Sequence, residues 1–282
     1  MKKLAPIFFL AFAVAPLGAG LLYALLYSLG VVGGLSQGFT LENWANTLTD
    51  ATLWTSLGLS ALVAAVVVLL STALALTLLL WLRPQLERPR LRFLLHLPLA
   101  LPPIVVAFLS FQWLGSSGML ARLVFGAGLI ENTEGFPPLI NDPLYLGVCA
   151  TLVLSTFPFL LLVFLQHYRA ANLLEISELA ATLGASTAQI QRRVVAPVLL
   201  RRAAPTILLY AIFLFGAYEV PLLLGRQNPT MISMFISQKF RRYNLADLPV
   251  AYVATVVYAL LLMLIVVLFW QKTRIKAPRL SA

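Results

Sequence analysis

Six stretches of this chain are each long and apolar enough to cross a lipid bilayer, and they leave little room for anything else. They lie at about 4–29, 52–82, 93–115, 144–166, 204–225 and 248–271. Crossing the hydrocarbon layer takes about 20 consecutive apolar residues. Lipid offers no hydrogen bonds, so a spanning backbone must satisfy its own N–H and C=O groups. The expected fold class is therefore an all-α membrane protein, one transmembrane domain over residues 1–282. Composition agrees: 61% of the residues are hydrophobic and 11% charged. Water-soluble domains hold roughly 45–50% apolar residues.

Basic residues give the expected orientation. With both termini in the cytoplasm, the inside segments hold fifteen of the 20 lysines and arginines. The outside segments hold Arg122, Arg226, Lys239, Arg241 and Arg242. Such an excess marks the cytoplasmic side. A net charge of +10 invites a nucleic-acid reading. The charge is instead spread over helix ends that face anionic lipid, and no basic face carries base-stacking aromatics.

The N-terminus begins Met-Lys-Lys and resembles a secretory signal, with Ala13-Val14-Ala15 as a cleavage-like site. The apolar run continues to about Val32. A signal's apolar region is roughly 7–15 residues, so an uncleaved first span is expected. Cys149 is the sole cysteine, which excludes an intrachain disulfide and a cysteine metal cluster. His96 and His167 lack partners at ligand spacing, so no metal site is expected.

Prolines punctuate the spans. Pro98, Pro102 and Pro103 fall in the third, Pro158 in the fourth and Pro221 late in the fifth. Each lacks a backbone donor and tends to kink its helix. Glu219 is the one acid within a span; it is expected six residues from the outer end, about 9 Å deep at the helical rise. It is a candidate pathway residue, or a partner for Arg226 or for Arg241 and Arg242. Gln112 and Trp113, late in the third span, are weaker pathway candidates beside an aromatic-belt reading. In the third outside loop, Met231, Ile232, Met234, Phe235 and Ile236 form an amphipathic stretch ahead of Lys239, Arg241 and Arg242. It is expected to lie at the membrane interface rather than to dock an acidic partner.

The polar exception is residues 175–202, within an inside loop at 167–203. Ser177 is expected to cap a helix beginning at Glu178, whose carboxylate then suits the helix N-terminus. Leu179, Ala180, Ala181 and Leu183 continue it, and Gly184 suits a left-handed C-terminal stop. Ser186 and Gln189 form an S-x-x-Q capping box for a second helix. There Ile190, Val194 and Val195 are apolar while Gln191, Arg192 and Arg193 stay wet, and Pro197 ends or kinks it. The expectation is a cytoplasmic helix-turn-helix peg.

The run Glu178-Leu-Ala-Ala-Thr-Leu-Gly184-Ala-Ser, with Val194 and Pro197, resembles the EAA loop of binding-protein-dependent ABC importer permeases. Leu179 replaces an alanine of that pattern, Gln191 stands where an aromatic is common, and Ala196 stands where leucine precedes the proline. The likeness runs from about Leu41 to Trp270. Leu97–Phe108, Leu114–Leu120 and Phe215–Gly225 look like the branch serving polyamines, ferric iron, thiamine, sulfate or phosphonates. The resemblance implies that Glu178, Leu179, Ala180, Ala181, Gly184, Ala185, Ser186, Ile190 and Pro197 couple to an ATPase. It implies two cytoplasmic ATP-binding cassette subunits, which carry ATP and Mg, and a second permease, identical or paralogous. It also implies an extracytoplasmic substrate-binding protein and a bacterial inner-membrane location. This chain has no phosphate-cradling Gly-x-x-x-x-Gly-Lys motif and is expected to bind no cofactor itself. The rival reading is a stand-alone channel or a membrane-embedded enzyme. An enzyme needs convergent ionisable groups within the spans, and a channel needs no peg.

Overall fold

The computed structural model describes residues 10–34, 36 and 38–275, all without strands. The helices run in chain order. After a π-turn at Leu10–Val14 come α1 (Ala15–Ser28), α2 (Glu42–Thr49), α3 (Ala51–Leu86), α4 (Pro89–Ala100), α5 (Pro103–Leu114) and α6 (Met119–Gly126). They are followed by α7 (Leu146–Ala170), α8 (Leu173–Thr182), α9 (Thr187–Ile190), α10 (Ala196–Phe215), α11 (Glu219–Leu224), α12 (Ile232–Arg241) and α13 (Asp247–Ile275). The described chain divides into two compact units, Leu59–Met231 and the segments on either side of it.

Five described stretches are long and apolar enough to cross a membrane: Ala51–Leu86, Pro103–Gly126, Leu146–Ala170, Thr187–Leu224 and Asp247–Lys272. Ala15–Ser28 is apolar but shorter, and residues 1–9 of the expected first span lie outside the described residues. Two expected spans are not continuous helices. The stretch 93–115 is divided between α4 and α5, with Leu101 and Pro102 both extended (ψ 129° and 143°). A residue that precedes proline is driven out of the helical region. Pro102 and Pro103 impose that on two successive residues. The stretch 204–225 is interrupted between Phe215 and Glu219, and Pro221, two residues further on, can offer Ala217 no helical bond. Pro158, by contrast, stays inside α7.

In the Leu59–Met231 unit, α7 carries the core. Leu160, Leu161, Phe164 and Leu165 pack with Leu79 and Leu86 of α3 and with Leu199 and Ala203 of α10. The same core includes Leu173, Ile190 and Val195. The loop between α7 and α10 is thus rooted in the spans by its own apolar side chains. Asp142 starts α7: its Oδ2 accepts the Leu146 N–H at 2.6 Å.

In the other unit, α1 and α12 pack on α13. Tyr27 and Tyr252 rings lie 4.2 Å apart between centroids, and Phe240 meets Tyr252 edge-on at 5.0 Å. Ile232, Met234 and Phe235 are buried. The apolar side of α12 therefore faces protein, not headgroups as expected. An ion pair at 2.9 Å between Lys239 and Asp247 closes the α12–α13 corner, with Arg242 3.7 Å from the same carboxylate.

Candidate functional site

The polar loop is a hairpin with both ends stitched down. Asn172, in the left-handed region at φ +48°, turns the chain off α7, and Leu173 is fully buried at the start of α8. Burial of Leu173 sets where the helix begins, five residues earlier than a Ser177 cap would place it. Ser177 does not cap: it lies mid-helix and its Oγ donates to the Leu173 carbonyl at 2.5 Å. Serine inside a helix commonly satisfies itself in this way. Glu175 occupies the first turn in place of Glu178, which lies exposed in the middle of α8.

The far end matches the sequence expectation. Gly184 has φ +86°. Its N–H donates to the Ala181 carbonyl at 2.9 Å, and the Ala185 N–H donates to the Ala180 carbonyl at 3.1 Å. Those two bonds are the pair that closes a helix through a left-handed glycine. The Ser186 box follows, with Ser186 N–H to Gln189 Oε1 at 2.9 Å and Gln189 N–H to Ser186 Oγ at 3.4 Å. Ile190 is buried.

Pro197 does not end the second helix. Helical backbone continues from α9 through a π-turn at Gln191–Val195 into α10, where Pro197 sits in the first turn. Proline gives no bond to the carbonyl four residues back and crowds it. One extra residue per turn accommodates this, and first-turn prolines are tolerated. The second arm of the hairpin is consequently the beginning of the next span. Gln191 does not stay wet: its Nε2 donates to the Leu80 carbonyl of α3 at 3.2 Å.

The hairpin shows an apolar stripe to solvent among its polar groups. Leu173, Ser177 and Ala180 turn inward, while Ile176, Leu179 and Leu183 lie three and four residues apart along the other side. Leu179 is 63% exposed and Leu183 81%. Glu178, Ala181, Gly184 and Ser186 are exposed beside them. A polar loop that holds a leucine pair in the open presents a contact surface.

Gln112 and Trp113, at the end of α5, line one cavity of about 760 Å³ together with Ser116, Ser117, Arg122 and Asn141. The turn at Gly118 is tight, since a Cβ there would stand 2.6 Å from the Gln112 carbonyl oxygen. Arg122 donates through Nε to the Ser117 carbonyl at 3.2 Å. Sequence reasoning did not single it out, although it is a cation where the orientation expects few. Glu219 does not line this cavity. It is half-buried and opens α11, rather than lying deep in a continuous span. An acid in the first turn of a helix suits the helix dipole. Among the described residues no ion pair joins it to Arg226, and no group of three His, Cys, Asp or Glu residues is placed to hold a metal.

A family model described as binding-protein-dependent transport system inner membrane component matches residues 88–276. No curated protein matches the chain. Two solved structures share the fold. A bacterial alginate ABC transporter in complex with an alginate pentasaccharide-bound periplasmic protein is 18% identical, with TM-score 0.68, covering 95% of this chain and 90% of that one. A bacterial ABC transporter involved in import of the acidic polysaccharide alginate is also 18% identical at TM-score 0.68, covering 97% and 93%.

Proposed function

This chain belongs to the family of binding-protein-dependent transport system inner membrane components, as a multi-pass permease subunit of an ABC importer rather than an enzyme, and on that premise we propose that residues 167–203 couple it to a cytoplasmic ATPase. The observation that carries this reading is the uncovered Leu179–Leu183 pair on a helix anchored at its start by buried Leu173 and closed at its end by hydrogen bonds. A water-facing helix gains nothing by exposing two leucines unless a partner covers them. Full burial of a leucine contributes about 1.5–3 kcal/mol.

In this reading both termini are cytoplasmic. Two ATP-binding cassette subunits carry ATP and Mg, and each receives one hairpin, this chain's or that of a second permease. Nucleotide-driven closure of the ATPase pair moves the hairpins. The shared core of Leu173, Ile190 and Val195 with α3 and α7 passes the displacement to the spans. A binding protein delivers the solute from outside. Gln112, Trp113 and Glu219 are pathway candidates on this account, the first two through the cavity they share.

Co-purification tests the reading. The permease should isolate with an ATPase subunit, and Leu183→Asp should separate them while the permease still inserts and folds. Retention of the ATPase by Leu183→Asp and Leu179→Asp together would reject it.

A further inference from the structure

Behind the hairpin, where α3 ends, lies a cavity of about 330 Å³. Leu79, Leu80, Arg83 and Pro84 of α3 line it, with Tyr168 of α7 and with Ser177, Thr187, Ile190, Gln191 and Val195 of the loop. The charged group is a cation, and no carboxylate is among these lining residues.

Not all of its donors are matched. Arg83 gives Nη1 to the Tyr168 hydroxyl at 2.6 Å. That hydroxyl acts as the acceptor, so its own proton remains to be placed. The Arg83 Nε atom is buried without a hydrogen-bond partner. Glu87 forms a half-exposed ion pair with it at 3.7 Å, too long for a hydrogen bond. Leaving a buried guanidinium N–H without an acceptor is costly, and folded proteins rarely do it. Ser177 and Gln191 spend their donors on the Leu173 and Leu80 carbonyls, and neither side-chain oxygen reaches hydrogen-bond distance of Arg83 Nε.

We propose that this cavity binds a phosphate-bearing anion, whose oxygens accept from Arg83 Nε, the Tyr168 hydroxyl and the Thr187 hydroxyl. A phosphate presents several strong acceptors to a cavity that three donors line. The apolar walls, Leu79, Ile190 and Val195, suit a ligand with a greasy body behind its phosphate. Trp81, 76% exposed two residues before Arg83, marks the interfacial depth where phospholipid headgroups lie. An anionic phospholipid thus fits both the polar and the apolar lining. Because Ser177, Thr187 and Gln191 belong to the hairpin, an occupant braces the hairpin against α3 and α7. Binding itself does not depend on the coupling proposed above.

The test is native mass spectrometry of the full chain purified in detergent, offered phosphatidylglycerol or phosphatidylcholine with identical acyl chains. We expect about tenfold greater retention of phosphatidylglycerol, a difference of about 1.4 kcal/mol. Arg83→Gln should abolish the preference and Tyr168→Phe weaken it, while Arg90→Gln, at an exposed cation outside the cavity, keeps it. Inorganic phosphate that displaces the lipid supports recognition through the phosphate. Inorganic phosphate retained through Arg83 without lipid preference assigns the site to a soluble anion of the same chemistry. Equal retention of both lipids with no effect of phosphate overturns the proposal, as does an Arg83→Gln variant that binds like wild type. If Arg83→Gln does not fold, unchanged retention by Tyr168→Phe overturns it. Because no transport is measured, failure here leaves the ATPase reading standing.

Discussion

Gln191 donates its side-chain amide to the main-chain carbonyl of Leu80, 3.2 Å away and 111 residues earlier in the chain. That carbonyl is available because of Pro84. In an uninterrupted helix Leu80 would accept from residue 84, and proline has no N–H to give. The backbone loosens there: Leu82 leaves the helical region at φ −113°, ψ 16°. A polar side chain of the hairpin thereby completes the hydrogen bonding of a transmembrane helix, which ties loop movement to α3.

Removing that donor should therefore do more than delete one bond. Gln191→Leu leaves a part-buried carbonyl unpaired, at a cost of about 1–3 kcal/mol. The thermal midpoint of the permease should fall, and transport per ATP hydrolysed should fall with it. Pro84→Ala returns an N–H to Leu80, so the double variant should recover stability. Additive losses in this double-mutant cycle would show that the two positions are not linked through Leu80.

At Gly184 the constraint is purely conformational. A Cβ added there meets nothing within 4 Å, yet φ is +86°. The left-handed region costs an L-residue roughly 1–2 kcal/mol, and asparagine tolerates it best. Uptake by the reconstituted importer should rank glycine, then asparagine, then alanine, then valine. An equal loss for asparagine and valine would point to a direct contact at this position instead of backbone strain.

Asp50 holds the entry to α3, with Oδ1 accepting the Thr52 N–H at 2.9 Å and the Thr52 hydroxyl at 2.7 Å. The Thr52 hydroxyl bond, foremost, keeps the Asp50 carboxyl below its ordinary range. The folded group thus binds its proton more weakly than the unfolded one does. Its stabilisation is complete above the unfolded value of about 3.9 and disappears as pH falls through the lower folded value. Asp50→Asn should keep the cap and remove that acid sensitivity, whereas Asp50→Ala should lose the cap, about 1 kcal/mol. Thermal melts from pH 7 to pH 3 distinguish the three proteins.

How far the sequence could be read depended on how far away the deciding atoms lie. The Ser186–Gln189 box and the Gly184 stop are settled within four residues, and both were legible. The start of α8 was not, because burial of Leu173 in a core built by α3 and α7 overrides the capping tendency of Ser177. Pro197 read as a terminator because the widening at Gln191–Val195 that accommodates it carries no residue signature. Gln191 read as solvated because its partner is a carbonyl released by a proline in another span. Gln112 and Trp113 share a cavity that Arg122 also lines, and nothing in their spacing pointed to Arg122.

The central claim is that the Leu179–Leu183 face seats on an ATPase. It is tested most directly by placing a cross-linkable cysteine at Leu183, the more exposed of the two at 81%, in a Cys149→Ser background. In membranes containing the assembled importer, the expected product joins this chain to the nucleotide-binding subunit, and its yield should change between ATP-bound and nucleotide-free states. Products confined to lipid or to this chain itself, with the ATPase present and hydrolysing, would contradict the account.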